Sequence, residues 1–401
     1  MLNYIKSNSN KILEISFLSV FLVLPFEDLF SLIAVIILLV FTIVINRFKN
    51  IGNSIKENPF LLLLFAYFLL SVISLLYTTD FSESIKKTSK LLAYIFIPLA
   101  FLLLNPDNKL LEKAKKTFVY GILLFCVFSI SKLLFNYVVN FEQSHWYNFI
   151  QVSMYHKYMP EDAMYINTAF IYVLFGNWFN KNYKLLISIL FLSIIILFGV
   201  RLGLFVFVLI VFVYFIKNIK SLLNLRSLFI VLFSIILSVT LINQSRYVND
   251  KFYDTLEKIG IKTSGKVSDI GENYHKINLR KQLYSSAFDL IKEKPIIGYG
   301  AGVEKKELSK VFNQRRFDLP NYNAHSQVLS TWIQYGIIGV LILTSLLVGL
   351  VFKNSKDKNL PNSLLLLVMI ISMTVESYLE IQQGLFYFCI FISILILEKN
   401  E

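Results

Sequence analysis

The stretch NYNAHSQVLSTWIQYGIIGVLILTSLLVGLVF, residues 321–352, decides the fold class. It opens polar, with Tyr322, Asn323, His325 and Ser326, and then turns apolar through to Phe352. The apolar part holds no charged residue and is longer than the roughly 20 helical residues that cross a bilayer core. It is continuous rather than alternating in polarity, which excludes a strand of a membrane β-barrel. His325 therefore stands where a polar segment enters a membrane-spanning helix.

Working outward, eleven further apolar runs follow the same logic. The twelve expected spans cover residues 12–26, 29–46, 60–77, 89–104, 117–138, 163–180, 184–199, 202–217, 225–243, 326–352, 360–378 and 383–398. Of the 401 residues, 56% are hydrophobic, 37 are Phe and only 16% are charged. A soluble domain carries about 25% charge, and a disordered chain lacks this hydrophobicity, so both classes are excluded. The expected fold is an all-α polytopic membrane protein of about 12 transmembrane helices, with one large, partly helical periplasmic loop between spans nine and ten. The expected division is a membrane domain over 1–243, the loop over 244–325 and a second membrane segment over 326–401. The basic start of the chain leads into a run that Glu14 interrupts, which reads as an uncleaved first span.

The net charge of +13 in a soluble protein would point to nucleic acid. Here it sorts by loop. With the N-terminus placed in the cytoplasm, the inside segments hold about 18 Lys and Arg and the short outside loops about five. Both termini are therefore expected in the cytoplasm, with no nucleic-acid partner. Lys86, Lys87 and Lys90 are a local exception to this sorting. Cys126 and Cys389 lie inside apolar runs and read as small hydrophobes.

The long segment near 243–323 contains helix-like sequence over Lys281–Glu293, and a second outside loop runs near 140–162. All four histidines, His145, His156, His275 and His325, fall in outside segments. Histidine titrates nearest neutral pH, so this placement fits proton transfer on that face. KPIIGYGAG, residues 294–302, alternates Gly298, Gly300 and Gly302 with Tyr299 and Ala301. It has no βαβ context for a dinucleotide site. It reads as a turn that brings backbone against backbone, with cleft shaping by Gly298, Gly300, Tyr322 and Asn323 as the functional alternative. Arg201, in LFGVRLGLF (197–205), is either a turn residue reaching the interface or an anion site. Glu376 and Glu380, near the outside end of the eleventh span, read as capping or helix-pairing groups. Glu14 and Lys132 are intramembrane charges whose partners the sequence does not reveal.

Three blocks, in order, resemble the O-antigen ligase and O-antigen polymerase superfamily of bacterial inner-membrane glycosyltransferases. LFGVRLGLF is similar to the family's Ser-Arg-Gly-type turn, with Arg201 at the arginine and Val200 in place of the usual Ser. NLRKQLYSSAFDLIKEKPIIGYGAG (278–302) resembles the block that opens on an arginine, here Arg280, and closes on a Pro, hydrophobic, Gly-x-Gly turn. AHSQVLSTWIQYGIIGVLIL (324–343) resembles the block carrying the family's histidine, here His325. Ser326 stands where Asn is common, and Gln334 where Glu is common. MYHKYM (154–159) is a weaker likeness to a His-x-x-Tyr-type segment, with Met159 in the place of the Tyr. The blocks cover roughly 195–345.

The resemblance implies transfer of a glycan from an undecaprenyl diphosphate donor to a hydroxyl of lipid A–core or another glycan acceptor at the periplasmic face. The leaving diphosphate needs cations more than protonation, and guanidinium meets phosphate oxygens bidentately. Arg201 and Arg280 take that role, and His325 takes the role of general base. No cofactor is implied, and the outside loops lack the Asp-x-Asp pair or His/Cys spacing of a metal site. The partners implied are the lipid-linked donor, the acceptor and membrane lipid, and the location implied is the bacterial inner (plasma) membrane. A repeat-unit polymerase uses the same chemistry. A transporter or flippase for lipid-linked sugar, and a non-catalytic assembly protein, are the alternatives of another class.

Overall fold

A computed structural model of the chain describes residues 9–46, 51–140, 159–218, 270–317, 319 and 321–398. The expected span 225–243, the segment 141–158 with His145 and His156, and the first part of the long loop lie outside the described residues, as does the side chain of His275. The elements among the described residues are helical: α1 (Ser9–Val23), α2 (Asp28–Asn46), α3 (Ile51–Glu57), α4 (Phe60–Ser74), α5 (Phe81–Lys90), α6 (Ala93–Leu104), α7 (Asn108–Asn140), α8 (Met159–Phe175), α9 (Lys181–Phe198), α10 (Arg201–Lys217), α11 (Ile270–Glu293), α12 (Glu304–Gln314), α13 (Gln327–Lys356), α14 (Leu360–Val375), a 3-10 turn (Tyr378–Glu380) and α15 (Gln382–Leu397). They form two compact units, Met1–Thr117 with Ile277–Glu401, and Phe118–Lys276.

In the first unit α15 is the central helix. Its residues from Gln383 to Leu397 are all buried, because the helix is apolar on every face and has neighbours on every side. Aromatic rings lock the surrounding helices. Phe17 meets Phe101 edge-on at 5.0 Å, and Phe21 meets Phe391 at 6.3 Å. The outer helices show the opposite of a soluble pattern. α2 buries Ser31, Ala34, Val35, Leu38 and Thr42 at helical spacing, and exposes Ile36, Ile37, Val40 and Val44 on the other face. In water each such exposed side chain would forgo about 1.5–3 kcal/mol of burial; hydrocarbon lipid removes that cost.

Five helical stretches among the described residues are long and apolar enough to cross a membrane: Asp28–Asn46, Phe81–Leu104, Asn108–Phe135, Lys181–Phe198 and Gln327–Lys356. Phe60–Ser74, Leu360–Val375 and Gln382–Leu397 are apolar but shorter. The chain is a multi-pass helical membrane protein. The long polar segment carries α11 and α12, and α11 begins well before the expected Lys281.

Two features depart from the sequence reading. The region of Lys86, Lys87 and Lys90 is a helix, α5, and not a loop. Asp80 caps it by accepting from the Glu83 N–H at 3.2 Å. α13 is not one straight span, because Gly336 takes φ 64° and ψ −165° and breaks it.

In the second unit α8 packs on α9 and α10. Phe170 stacks on Phe207 at 4.0 Å, and the Asn167 amide donates to the Gly203 carbonyl at 2.9 Å. A side chain at Gly203 would meet Ala163, so the glycine sets how closely α8 and α10 approach.

Candidate functional site

The site is built on the break in α13. At a helix break, carbonyls and N–H groups lose their partners and must find others. Here the glycine turn supplies them. Tyr299 N–H donates to the Ile333 carbonyl at 2.9 Å, Gly300 N–H to the Gln334 carbonyl at 2.9 Å, and Ile337 N–H to the Pro295 carbonyl at 2.9 Å. The turn is held from its other side as well. Ser84 Oγ donates to the Ala301 carbonyl at 2.6 Å, and Ala301 N–H donates to Ser74 Oγ at 3.0 Å. A Cβ at Gly298 would sit 2.5 Å from the Ile333 oxygen, and one at Gly336 would strike the Ile296 carbonyl. Gly298, Gly300, Gly302 and Gly336 all have positive φ. The alternating glycines thus dock a turn, backbone to backbone, into a broken helix, as the closer-approach reading of KPIIGYGAG expects.

His325 lies just before α13, at φ 47°, a left-handed conformation unusual for a residue with a Cβ. Its N–H donates to Asn323 Oδ1 at 3.2 Å, and its ring lies 5.8 Å from that of Tyr322. Its Nδ1 meets Glu376 Oε2 at 2.7 Å. The other oxygen of Glu376 is 3.9 Å from the Arg280 guanidinium. A carboxylate only accepts, so this contact assigns the imidazole proton to Nδ1 and leaves the lone pair on Nε2. Among the described residues no group hydrogen-bonds Nε2. The His325 side chain is 30% exposed and that of Arg280 54%, so both are open to a ligand. Arg280 and His325, singled out from sequence, meet at one carboxylate that sequence read as a cap. Glu376 is the first residue beyond α14, in extended backbone.

Beneath this mouth lies a buried polar cluster. Lys87 Nζ pairs with Glu380 Oε2 at 2.9 Å and donates to the Leu379 carbonyl at 2.8 Å. The Gln334 amide nitrogen donates to Glu380 Oε1 at 2.9 Å and to Glu304 Oε2 at 3.3 Å, and its oxygen accepts the Gly302 N–H at 2.8 Å. Burial pushes the Glu304 carboxyl up to about 7, and Glu380 adds in the same direction. Hydrogen bonds from Ser330 and the Ala324 N–H, and the charge of Lys87, pull it back. With Glu304 and Glu380 facing one ammonium, an amide at position 334 donates to both carboxylates where a third acid would repel them. The basic cluster that broke the loop-charge pattern thus contains one lysine, Lys87, held in the interior by Glu380. Lys87, Glu380 and Gln334 each stand out in the sequence, but nothing there joins them.

Arg201 belongs to the other unit. Gly199 closes α9 in the left-handed conformation at φ 61°, Val200 is extended, and Arg201 is the exposed first residue of α10. It therefore sits on a tight turn between two apolar helices. Among the described residues, no group of three or more His, Cys, Asp or Glu is placed to hold a metal ion.

Fold and site together define a multi-pass helical membrane protein with a histidine, an arginine and a shared carboxylate at the mouth of a broken helix. Residues 186–344 match the model of the family described as O-antigen ligase, and this supports placement in the O-antigen ligase and polymerase superfamily. Arg201, Arg280 and His325 all fall inside the matched residues; Glu376 falls beyond them. The chain is also 24% identical over 371 residues to a protein of Haemophilus influenzae described as uncharacterized, covering 85% of this chain and 86% of that one.

Proposed function

We propose that this protein is a glycosyltransferase of the O-antigen ligase type, moving a glycan from undecaprenyl diphosphate to a hydroxyl of lipid A–core or a similar acceptor at the periplasmic face of the inner membrane. The observation that carries the reading is the His325–Glu376–Arg280 constellation. Glu376 orients the imidazole so that Nε2 takes the proton of the attacking hydroxyl. The new C–O bond forms at the anomeric carbon as the bond to the diphosphate oxygen breaks. The diphosphate leaves with the electron pair, and attack from the opposite face inverts the anomeric centre. Arg280 binds the diphosphate and stabilises the charge it gains. The breach in α13, with its glycine turn, Tyr322 and Asn323, frames the mouth where the lipid tail stays in the bilayer and the sugars stay in water.

The test is a gel of surface polysaccharide from a host lacking this gene, complemented with wild type or His325→Ala. Core lipid without chains, alongside accumulated long lipid-linked polymer, identifies a ligase whose activity His325→Ala fails to restore. Core bearing a single repeat unit identifies a polymerase with the same chemistry. Full complementation by His325→Ala at equal expression would remove His325 as the base.

A further inference from the structure

Glu304 is the first residue of α12, in the polar segment between the apolar helices, yet its side chain is interred: the residue is 1% exposed. A carboxylate in that position carries a heavy desolvation penalty unless donors surround it. The donors it has come from the chain that carries His325. Oε1 accepts the N–H of Ala324, the residue before His325, at 2.8 Å, and the hydroxyl of Ser330, one turn into α13, at 2.6 Å. Ser330 Oγ lies 2.8 Å from Ser377 Oγ, and Ser377 Oγ accepts the N–H of Ser326, the residue after His325, at 3.1 Å. Ser377 is also the residue after Glu376. The chain Glu304–Ser330–Ser377 therefore grips the backbone on both sides of His325 and next to Glu376. The backbone it grips is the one in the left-handed region, which is strained for a residue with a Cβ and persists only where surroundings hold it.

We infer that Glu304 is a positioning residue: through Ser330 and Ser377 it fixes the left-handed His325 peptide in register with Glu376, and so aims Nε2 at the acceptor hydroxyl. This rests on the reading of His325 as the general base. It makes α12, remote from the reacting atoms, part of what sets the rate. Deleting the Glu304 carboxylate frees the Ala324 N–H and the Ser330 hydroxyl together. Glu304→Gln keeps the oxygen that accepts both and gives up only the longer bond from the Gln334 amide at 3.3 Å. Glu304→Asp keeps the charge but draws it back from Ala324 by one methylene.

The full chain, purified in nanodiscs, is compared as wild type, Glu304→Gln, Glu304→Asp, Glu304→Ala and Glu376→Ala. Two readouts are taken on folded protein: the rate at which diethyl pyrocarbonate modifies His325, followed by mass spectrometry of its peptide, and glycan transfer from a lipid-linked donor. Glu304→Ala and Glu304→Asp are expected to raise the His325 modification rate several-fold. They should lower kcat about tenfold, equivalent to about 1.4 kcal/mol, while KM for the donor stays within about twofold, the signature of lost transition-state alignment. Glu304→Gln should restore most of both. Glu304→Ala added to Glu376→Ala should cost less than the two separately, as coupled groups do. If Glu304→Ala does not fold, Glu304→Asp carries the comparison. Unchanged His325 reactivity in a folded Glu304→Ala or Glu304→Asp protein, or strict additivity with Glu376→Ala, would overturn the assignment. Absence of transfer by wild type would instead sink the glycosyltransferase reading, and the modification rates would still decide whether Glu304 holds His325.

Discussion

Two buried charge clusters sit at opposite ends of α15 in the same unit, and they are put together differently. At the C-terminal end, Lys353 donates to the carbonyls of Leu395 and Ile396 at 2.9 and 2.6 Å. Lys115 pairs with Glu398 at 2.7 Å, and the Asn362 amide donates to the other oxygen of Glu398 at 2.9 Å. This cluster closes helix ends, with lysines on the carbonyl end of the macrodipole. At the N-terminal end, Lys87, Glu380, Gln334 and Glu304 support a broken helix, a docked glycine turn and a residue in left-handed backbone. That cluster holds in place groups that point away from it, and the Nε2 of His325 is left without a partner among the described residues. The first cluster ends on its own hydrogen bonds; the second leads to the 30% exposed side chain of His325.

The largest test of this contrast falls on Glu376. Glu376→Ala removes the acceptor that fixes the His325 proton, and a loss of about 10²–10⁴ in kcat is expected, the range of general-base catalysis. Glu376→Gln retains an acceptor and should lie between. A steady-state assay of glycan transfer showing near-wild-type kcat for the alanine variant would place the two clusters in the same structural class.

Next come the lysines. Lys87→Met and Lys115→Met each leave a largely buried carboxylate, 15% and 14% exposed, without its lysine, and each should cost about 3–5 kcal/mol. Thermal unfolding in detergent is expected to show similar losses for both. Only the Lys87 variant should also depress activity per folded molecule. Equal activity for the two variants would break the contrast.

Gly336→Ala sharpens the role of the helix break. At φ 64° and ψ −165°, a region open essentially to glycine alone, a Cβ adds about 1–3 kcal/mol and also strikes the Ile296 carbonyl. The expected result is a lower melting temperature and partial loss of activity. Gly52, around which no atom lies within 4 Å of a new Cβ, serves as the control substitution.

The smallest effect is one of pH. Burial raises the folded-state pKa of Glu304 from 4.5 to about 7. Between those values the folded chain holds more protons than the unfolded one, so stability falls as pH rises through that window. The melting temperature should decline from pH 5 to pH 7, and Glu304→Gln should flatten that slope. No change of slope in the variant would assign the titration to another group.

Much of the frame was legible because helix formation in lipid needs only a continuous apolar run. α2, α9 and α13 lie where 29–46, 184–199 and 326–352 were read. The glycine turn was legible as a turn because alternating glycines permit close backbone approach. Its partner was not, since nothing in IQYG marks where a long apolar helix will open. α5 is not legible as a helix, because its buried face is polar, Ser84, Lys87 and Thr88, and hydrophobic periodicity cannot register it. Glu14, whose partner the sequence left open, pairs with Lys113 at 2.6 Å.

By itself the sequence determined the membrane-spanning character, the candidates His325, Arg280 and Arg201, and the turn at 298–302. Composition and local backbone preference suffice for the spanning character and the turn; the three candidates rest on the resemblance of sequence blocks to a family. Only the tertiary structure decided that Glu376 stands between His325 and Arg280, that Lys87 belongs inside with Glu380, and that Glu304 reaches the His325 backbone. These contacts join residues from 20 positions apart, Glu304 and Ala324, to 293 apart, Lys87 and Glu380. A buried charge is tolerated only where its partners converge, and that convergence is a property of packing rather than of any local run of residues.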